Sequence, residues 1–132
     1  MAPSITRAGT ILAVADVERS LEFYRDMLGF EVADTYDDPP YVTLACAGAR
    51  LSLAEQGHPA DDRPGVSMTA PADPSRLAAI LVLEVGDCLR AHRELAAAGV
   101  RFLAEPSSPP WGGHRCFAVD PDGNLVELEE RS

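Results

Sequence analysis

The stretch TILAVADVERSLEFYRDMLGFEV, Thr10 to Val32, decides the fold. An apolar run leads to Asp16, and apolar residues then recur at helical spacing as far as Gly29. Asp16 is predicted to cap the start of this helix, because its short side chain can accept a backbone hydrogen bond. Gly29 is predicted to end it, because glycine tolerates the positive φ of a helix terminus. The stretch therefore predicts a strand, a helix and a second strand that begins at Phe30.

The same order returns in AILVLEVGDCLRAHRELAAAGVRFL, Ala79 to Leu103. Asp87 and Gly99 take the places of Asp16 and Gly29, and the two offsets, 71 and 70 residues, agree within one residue. A repeat of this size indicates two similar units, each too small to bury its sheet alone.

Each half is predicted to finish with two further strands around a turn glycine. The segments are YVTLACA and GARLSLAE in the first half, and HRCFAV and GNLVELEE in the second. We therefore predict an α+β protein of two tandem β-α-β-β-β modules within a single domain of residues 1–132. The modules span about 5–56 and about 77–132, and the proline-rich segment of about 57–76 is predicted to link them.

The composition disfavours several classes of function. The net charge of −10 argues against nucleic acid and anionic membrane surfaces as partners. No apolar run approaches the roughly 20 residues that cross a bilayer, and the N-terminus shows no secretory signal. All 11 basic residues are arginine, which excludes Schiff-base lysine chemistry and a P-loop. Three cysteines without a C-x-x-C pair predict reduced thiols in a cytoplasmic protein and argue against structural zinc.

The paired modules, the opening ILAVADVERSLEFYRDMLGFEV and the closing WGGHRCFAVDPDGNLVELEE resemble the vicinal oxygen chelate superfamily over about the whole chain. That superfamily includes glyoxalase I, bleomycin-resistance proteins, type I extradiol dioxygenases, fosfomycin-resistance enzymes and methylmalonyl-CoA epimerase. The resemblance implies curled mixed sheets around a concave site for a small molecule, often completed in a homodimer. These motifs are specific to the superfamily and not to one activity.

In the metal-dependent members of that superfamily, each module supplies a histidine near the start of its first strand and a ligand, usually glutamate, on its last strand. Carried over by the motif spacing, these positions fall on Gly9, Ser52, Ile80 and Glu127. One carboxylate and a weak hydroxyl do not make a transition-metal site, which needs three or four donors. We therefore predict no metal and no cofactor, as in the metal-free bleomycin-resistance branch.

Strand alternation places small and acidic side chains on the faces that would line the cavity. Small residues leave room for a ligand, whereas buried carboxylates need a cation, an arginine or water as partner. The candidate ligand-binding residues from this pattern are Gly9, Arg50, Ser52, Ile80 and Glu84, with Glu127 on the last strand. Tyr41 is expected to line the opposite side of the cavity.

The segment SSPPWGGHRCF supplies further candidates. Trp111, the single tryptophan, precedes a strand and can stack on a planar or cationic ligand. Arg115 and Phe117 alternate with Cys116, and either set can face the cavity. His114 is a tentative acid or base beside Glu127.

These features predict a metal-independent binding protein that sequesters a cationic or aromatic natural product or metabolite, as in drug resistance of the bleomycin type. The alternative is a metal-free lyase or isomerase that uses Glu127 or His114 as acid or base. A metal-dependent glyoxalase or dioxygenase is a third interpretation. The sequence leaves open the ligand, the catalysis of any reaction, and whether a homodimer exchanges its modules.

Overall fold

The computed structural model describes residues 1–132, and the chain divides into two compact units, Met1–Ala70 and Pro71–Ser132. Each unit carries one four-stranded mixed sheet with a helix after its first strand. The predicted α+β class and the two tandem β-α-β-β-β modules are therefore confirmed. The module boundaries and their union in a single domain remain predictions. Residues 57–76, the predicted linker, contain no helix or strand.

The first unit has the strand order β1-β4-β3-β2, with β1 parallel to β4 and the other pairs antiparallel. The Asp16 carboxylate accepts a hydrogen bond from the backbone N–H of Arg19 at 3.3 Å, and Gly29 follows the helix with a φ of +83°. Both predicted helix ends are thus confirmed. The elements are β1 Gly9–Val14, α1 Val17–Leu21, its π-helical continuation Glu22–Met27, β2 Glu31–Asp37, β3 Pro40–Cys46 and β4 Ala49–Glu55.

Alternation along the central strands separates the two faces of this sheet. Leu51 and Leu53 of β4 pair with Leu44 and Val42 of β3, and all four side chains are buried. Helix α1 packs against these same strands. Because residues one position away point to the other face, Arg50 and Ser52 of β4 lie on the side away from α1.

The second unit repeats the arrangement with the strand order β5-β8-β7-β6. The Asp87 carboxylate accepts from the N–H of Arg90 at 3.0 Å, and Gly99 follows the helix with a φ of +100°. The elements are β5 Leu81–Glu84, α2 Cys88–Ala97, β6 Arg101–Phe102, β7 His114–Val119 and β8 Leu125–Glu130. No helix in the chain is both long enough and apolar enough to cross a membrane.

A small core lies between α2 and the sheet of the second unit. Cys88 of α2, Cys116 of β7 and Leu128 of β8 form its buried centre. The side chains packed around this centre are Leu83, Val85, Ala91, Leu95 and Phe102. The turn between β7 and β8 is held by Asp120, whose carboxylate accepts from the backbone N–H groups of Asp122 and Asn124 at 2.9 and 2.8 Å. This turn fixes the register of the two strands, and with it the face on which each side chain lies.

Candidate functional site

The candidate site lies on the face of the second sheet that points away from α2, which we call the open face. On this face Glu127 of β8 has Val82 of β5 as its neighbour on one side and Phe117 of β7 on the other. Glu127 therefore sits in an apolar row in the middle of the sheet. This neighbourhood removes water from a group that is charged in its ordinary state.

Glu127 is only 7% exposed, and its Oε2 atom has no hydrogen-bond partner. Burial raises the pKa of the Glu127 carboxyl, a side-chain hydrogen bond with the neighbouring Glu129 carboxyl raises it as well, and the positive charge of Arg115 opposes the shift. A buried carboxylate oxygen without a partner is costly in free energy. This oxygen therefore keeps an unused capacity to accept a hydrogen bond.

A second, charged row follows along the same strands. Glu129 of β8 lies between Glu84 of β5 and Arg115 of β7. Arg131 approaches both carboxylates, with its Nη1 atom 3.6 Å from Glu84 and 3.4 Å from Glu129. The side chains of Arg131 and Glu84 are 73% and 63% exposed, so solvent weakens this pair of contacts. The open face thus carries two carboxylates, Glu84 and Glu129, beside two arginines.

Arg115 lies between two aromatic rings. Its guanidinium carbon is 5.1 Å from the ring centroid of Trp111 and 5.2 Å from that of Phe117. Both distances are within the range of a cation–π interaction. The sequence left open whether Arg115 and Phe117 or Cys116 would face the cavity. In the structure Arg115 and Phe117 lie on the open face, whereas Cys116 is buried in the core.

The loop before β7 holds Trp111 over the sheet edge. Ser107 and Arg115 exchange two backbone hydrogen bonds of 3.0 and 2.9 Å, which attach the loop to β7. Gly113 has a φ of +71° and passes so close to the Glu130 carbonyl that a Cβ atom there would collide with it. Trp111 itself remains 65% exposed, so one of its ring faces is open to solvent. It also borders a cavity of about 250 Å³ near the C-terminus, together with Glu129 and Arg131.

His114 lies on the other side of the sheet from Glu127. It pairs with Glu130, and the alternation of β7 turns this pair toward α2. Glu130 accepts a hydrogen bond from the backbone N–H of Cys88, at the first turn of α2, at 2.8 Å. The Nδ1 atom of His114 is 4.0 Å from the Glu130 carboxylate, too far for a hydrogen bond. The two tentative acid–base residues therefore do not share one site.

The remaining candidates of the first unit lie together on the sheet face away from α1. Gly9 is paired with Arg50 on neighbouring parallel strands, and Tyr41 is paired with Ala54. Ser52 is 8% exposed, and its hydroxyl is 3.0 Å from that of Thr43. A Cβ atom on Gly9 would be 2.9 Å from the Cβ of Arg50, so the glycine permits the close approach of β1 and β4 at this point.

The positions that bind metal in the metal-dependent relatives do not form a metal site in this chain. Gly9 has no side chain, Ile80 is apolar and 42% exposed, and the Ser52 hydroxyl is already engaged with Thr43. Glu127 alone offers a strong donor, and no group of three or more His, Cys, Asp or Glu side chains is placed to hold a metal ion. The residues present therefore do not fit a transition metal, which needs three or four donors in defined geometry.

Arg131 was absent from the candidates that the sequence suggested. Phe117 belonged to one of two sets that the sequence left open, and the five residues between β7 and β8 decide between them, because they place Val119 opposite Leu125 and hence Phe117 opposite Glu127. Glu129 follows from alternation along β8. Arg131 lies beyond the last strand, where no periodicity applies, so its contacts required the tertiary structure.

Comparisons with known proteins agree with this fold. Residues 5–128 match the family described as Glyoxalase/Bleomycin resistance protein/Dioxygenase superfamily. The chain is 30% identical over 125 residues, 90% of its length and 92% of the relative, to an ethylmalonyl-CoA/methylmalonyl-CoA epimerase of Cereibacter sphaeroides.

Two solved structures illustrate the likeness of fold. TnmS3, an antibiotic binding protein from Streptomyces sp. CB03234, is 23% identical with a TM-score of 0.74, and the likeness covers 100% of this chain and 99% of that one. A superfamily member from Sphaerobacter thermophilus is 24% identical with a TM-score of 0.72, over 97% and 98% of the two chains. The family match covers nearly the whole chain and both modules, so this protein belongs to the Glyoxalase/Bleomycin resistance protein/Dioxygenase superfamily.

Proposed function

We propose that this protein binds and sequesters a small cationic or aromatic molecule, a natural product or metabolite, without a metal. The observation that carries the proposal is the Glu127 carboxylate, buried on the open face with an unpartnered oxygen and with Phe117 directly opposite. A ligand that donates a hydrogen bond to Glu127 and stacks on the exposed ring of Trp111 matches these groups.

TnmS3, which has a similar fold, is an antibiotic binding protein. This likeness supports the proposal that the fold of this chain can serve to bind a small molecule. The donor set supports metal independence, because Gly9, Ser52 and Ile80 replace the strong ligands that the metal-dependent relatives supply. We extend the proposal to a role in antibiotic resistance, in which the protein withholds a drug from its target.

The test is native mass spectrometry of the protein purified gently from its own cells, with elemental analysis of the same sample. We expect a retained organic molecule, recovered unchanged after denaturation, and far less than one transition metal per chain. Glu127→Gln is expected to lose the ligand, whereas Glu105→Gln, which alters a carboxylate that is 90% exposed, is expected to keep it. About one transition metal per chain, or retention by Glu127→Gln equal to that of the unaltered protein, would refute the proposal.

The second candidate function is a metal-free isomerase in which Glu127 moves a proton. Two observations favour it: burial raises the pKa of Glu127 toward the range of a useful base, and the chain is similar to an epimerase. Glu127 would take a proton from the carbon next to a carbonyl, which leaves an enolate, and return the proton to the opposite face of that carbon after the enolate has turned in the site, which inverts the carbon. Because His114 is turned toward α2, we assign this transfer to Glu127 alone.

Solvent exchange distinguishes this candidate from simple binding. Incubation with a carbonyl ligand in D₂O is expected to introduce deuterium next to the carbonyl if Glu127 transfers protons. Glu127→Gln should abolish the exchange, and His114→Gln should leave it. A ligand recovered without deuterium would leave sequestration as the function.

We also propose that the protein is a cytoplasmic homodimer and that its two modules fold as one domain. Exposed apolar side chains near the edge strands support a partner surface, with Ile11, Ile80 and Val82 each 42–50% exposed. Light scattering should give twice the chain mass of 14.1 kDa, and unfolding should follow a single transition. A monomer would refute the proposed homodimer, and two separate unfolding transitions would refute the proposed single domain.

A further inference from the structure

The slot between Trp111 and Phe117 already holds a planar cation, which is the protein's own Arg115. Its guanidinium carbon lies 5.1 and 5.2 Å from the two ring centroids. Guanidinium groups stack on aromatic faces more readily than ammonium groups do, because they are flat and weakly hydrated. The two rings therefore have the electrostatic character of a site for a flat cation.

Arg115 occupies the slot but leaves a nearby hydrogen-bond acceptor, Glu127, without a partner for its Oε2 atom. Glu127 lies opposite Phe117, yet its Oε2 atom receives no hydrogen bond from Arg115 or from any other group. The positive charge of Arg115 only opposes the rise in the pKa of Glu127. A flat cation at the same rings, with an N–H directed at β8, would satisfy the oxygen that Arg115 leaves without a partner.

The side chain of Arg115 has a second favourable position away from the two rings. Its cross-strand neighbour on β8 is Glu129, which is 19% exposed and already forms an ion pair with Arg131 at 3.4 Å. Arginine has several rotatable bonds, so a move from the rings toward Glu129 needs no change in the backbone. The loss of two ring contacts is then offset in part by an ion pair.

We infer that Arg115 is an internal substitute for the ligand, and that the true ligand carries a guanidinium or amidinium group that displaces Arg115 and donates an N–H to Glu127. This inference rests on the proposed binding function and adds to it the chemical class of the ligand and a competing residue. Arg115 sets the affinity, because every ligand must first take its place.

The test is a titration with benzamidine, a flat amidinium probe, followed by calorimetry and by the fluorescence of Trp111, the single tryptophan. Arg115→Gln is expected to bind benzamidine at least about threefold more tightly, because the competitor is gone. Glu127→Gln is expected to weaken binding by about tenfold, because a charge-assisted hydrogen bond becomes a neutral one. Benzamide, the uncharged analogue, is expected to show no measurable binding.

Arg90→Gln is the matched control, because it removes the same charge from an arginine on α2, on the other side of the sheet from the open face. Arg90 is paired with Glu94 and its side chain is 67% exposed. Screening of such an exposed charge should keep the affinity for benzamidine within about twofold of the unaltered protein. Circular dichroism confirms that each variant is folded. If Arg90→Gln gains as much affinity as Arg115→Gln, general electrostatics explains the effect and the inference is wrong.

The remaining outcomes distinguish a failure of this inference from a failure of the proposed binding function. Unchanged or weaker binding by Arg115→Gln, or no binding of benzamidine by any form, overturns the inference. A ligand retained in native mass spectrometry then still supports sequestration of another class of molecule. Failure of both experiments removes the proposed function and the inference together.

Discussion

Phe117 and Glu127 stand directly opposite each other on the antiparallel strands β7 and β8, so an aromatic ring flanks a buried carboxylate. Val82 flanks the same carboxylate from β5. Glu127 therefore meets apolar groups across the sheet on both sides, although it is an acid. Burial among these apolar groups is the main cause of the raised pKa of Glu127.

The raised pKa of Glu127 predicts a pH-dependent stability. Between its ordinary pKa, 4.5, and its raised value, the folded state holds a proton that the unfolded state has lost, so stability falls as pH rises through this window. Glu127→Gln carries no titrating group at this position. The difference in the free energy of unfolding between Glu127→Gln and the unaltered protein should therefore shift in favour of the variant as pH rises, and level off above the raised pKa.

Urea unfolding at several pH values measures this difference. We expect the difference to move steadily in favour of Glu127→Gln as the pH rises above 4.5. Glu105→Gln, at a 90% exposed carboxylate, provides the control and should show almost no pH-dependent difference. A constant offset for Glu127→Gln across the whole range contradicts this prediction.

Two of the three thiols are predicted to be unreactive in the folded protein. Burial raises the pKa of Cys88, and it raises that of Cys116 to about 12, while only Cys46 is partly exposed. The thiolate is the reactive form. Iodoacetamide at pH 8 should therefore modify Cys46 alone, and all three cysteines after unfolding, as peptide mass spectrometry can show. Rapid labelling of Cys116 in the folded state would contradict the assigned burial.

The core of the second unit should be sensitive to truncation at Leu128. This side chain is 2% exposed between Cys88 and Cys116, so Leu128→Ala is expected to lower the free energy of unfolding by about 3 kcal/mol. Leu103, 61% exposed, is the matched control, and Leu103→Ala should cost less than about 1 kcal/mol. Urea unfolding measures both, and equal costs would place Leu128 outside the core.

Gly113 should tolerate no side chain. Gly113→Ala adds a collision with the Glu130 carbonyl to the strain of a φ of +71°, and we expect a loss of about 3 kcal/mol. Gly65 has a φ of +75° and open space around its Cα, so Gly65→Ala isolates the backbone strain at about 1 kcal/mol. Thermal unfolding compares the two. If the losses are equal, the close passage of the Trp111 loop over β8 is not required for stability.

Much of the fold could be predicted from the sequence, because its signals are local. Asp16 and Asp87 cap helices through contacts three residues away, and Gly29 and Gly99 end them with a positive φ. Alternation along β4 places Leu51 and Leu53 on the helix side, where both are buried. The repeated order of these features then determined two tandem modules without any knowledge of the packing.

The composition of the candidate site was only partly accessible. Glu127 was predicted from its motif. The residues that flank it on β5 and β7, Val82 and Phe117, depend on the register between the strands. That register also decides that His114 faces α2 while Arg115 lies on the open face. A difference of one residue reverses the face, and alternation alone cannot fix it.

The sequence by itself thus determined the elements and their order, since these depend on residue types and short spacings. The tertiary structure alone decided that Glu127 is buried with an unpartnered oxygen and that Arg115 lies between Trp111 and Phe117. The physical reason is that burial and ring contacts depend on which strands pair, and in which register. A long side chain such as arginine then takes the position that its three-dimensional neighbours make most favourable.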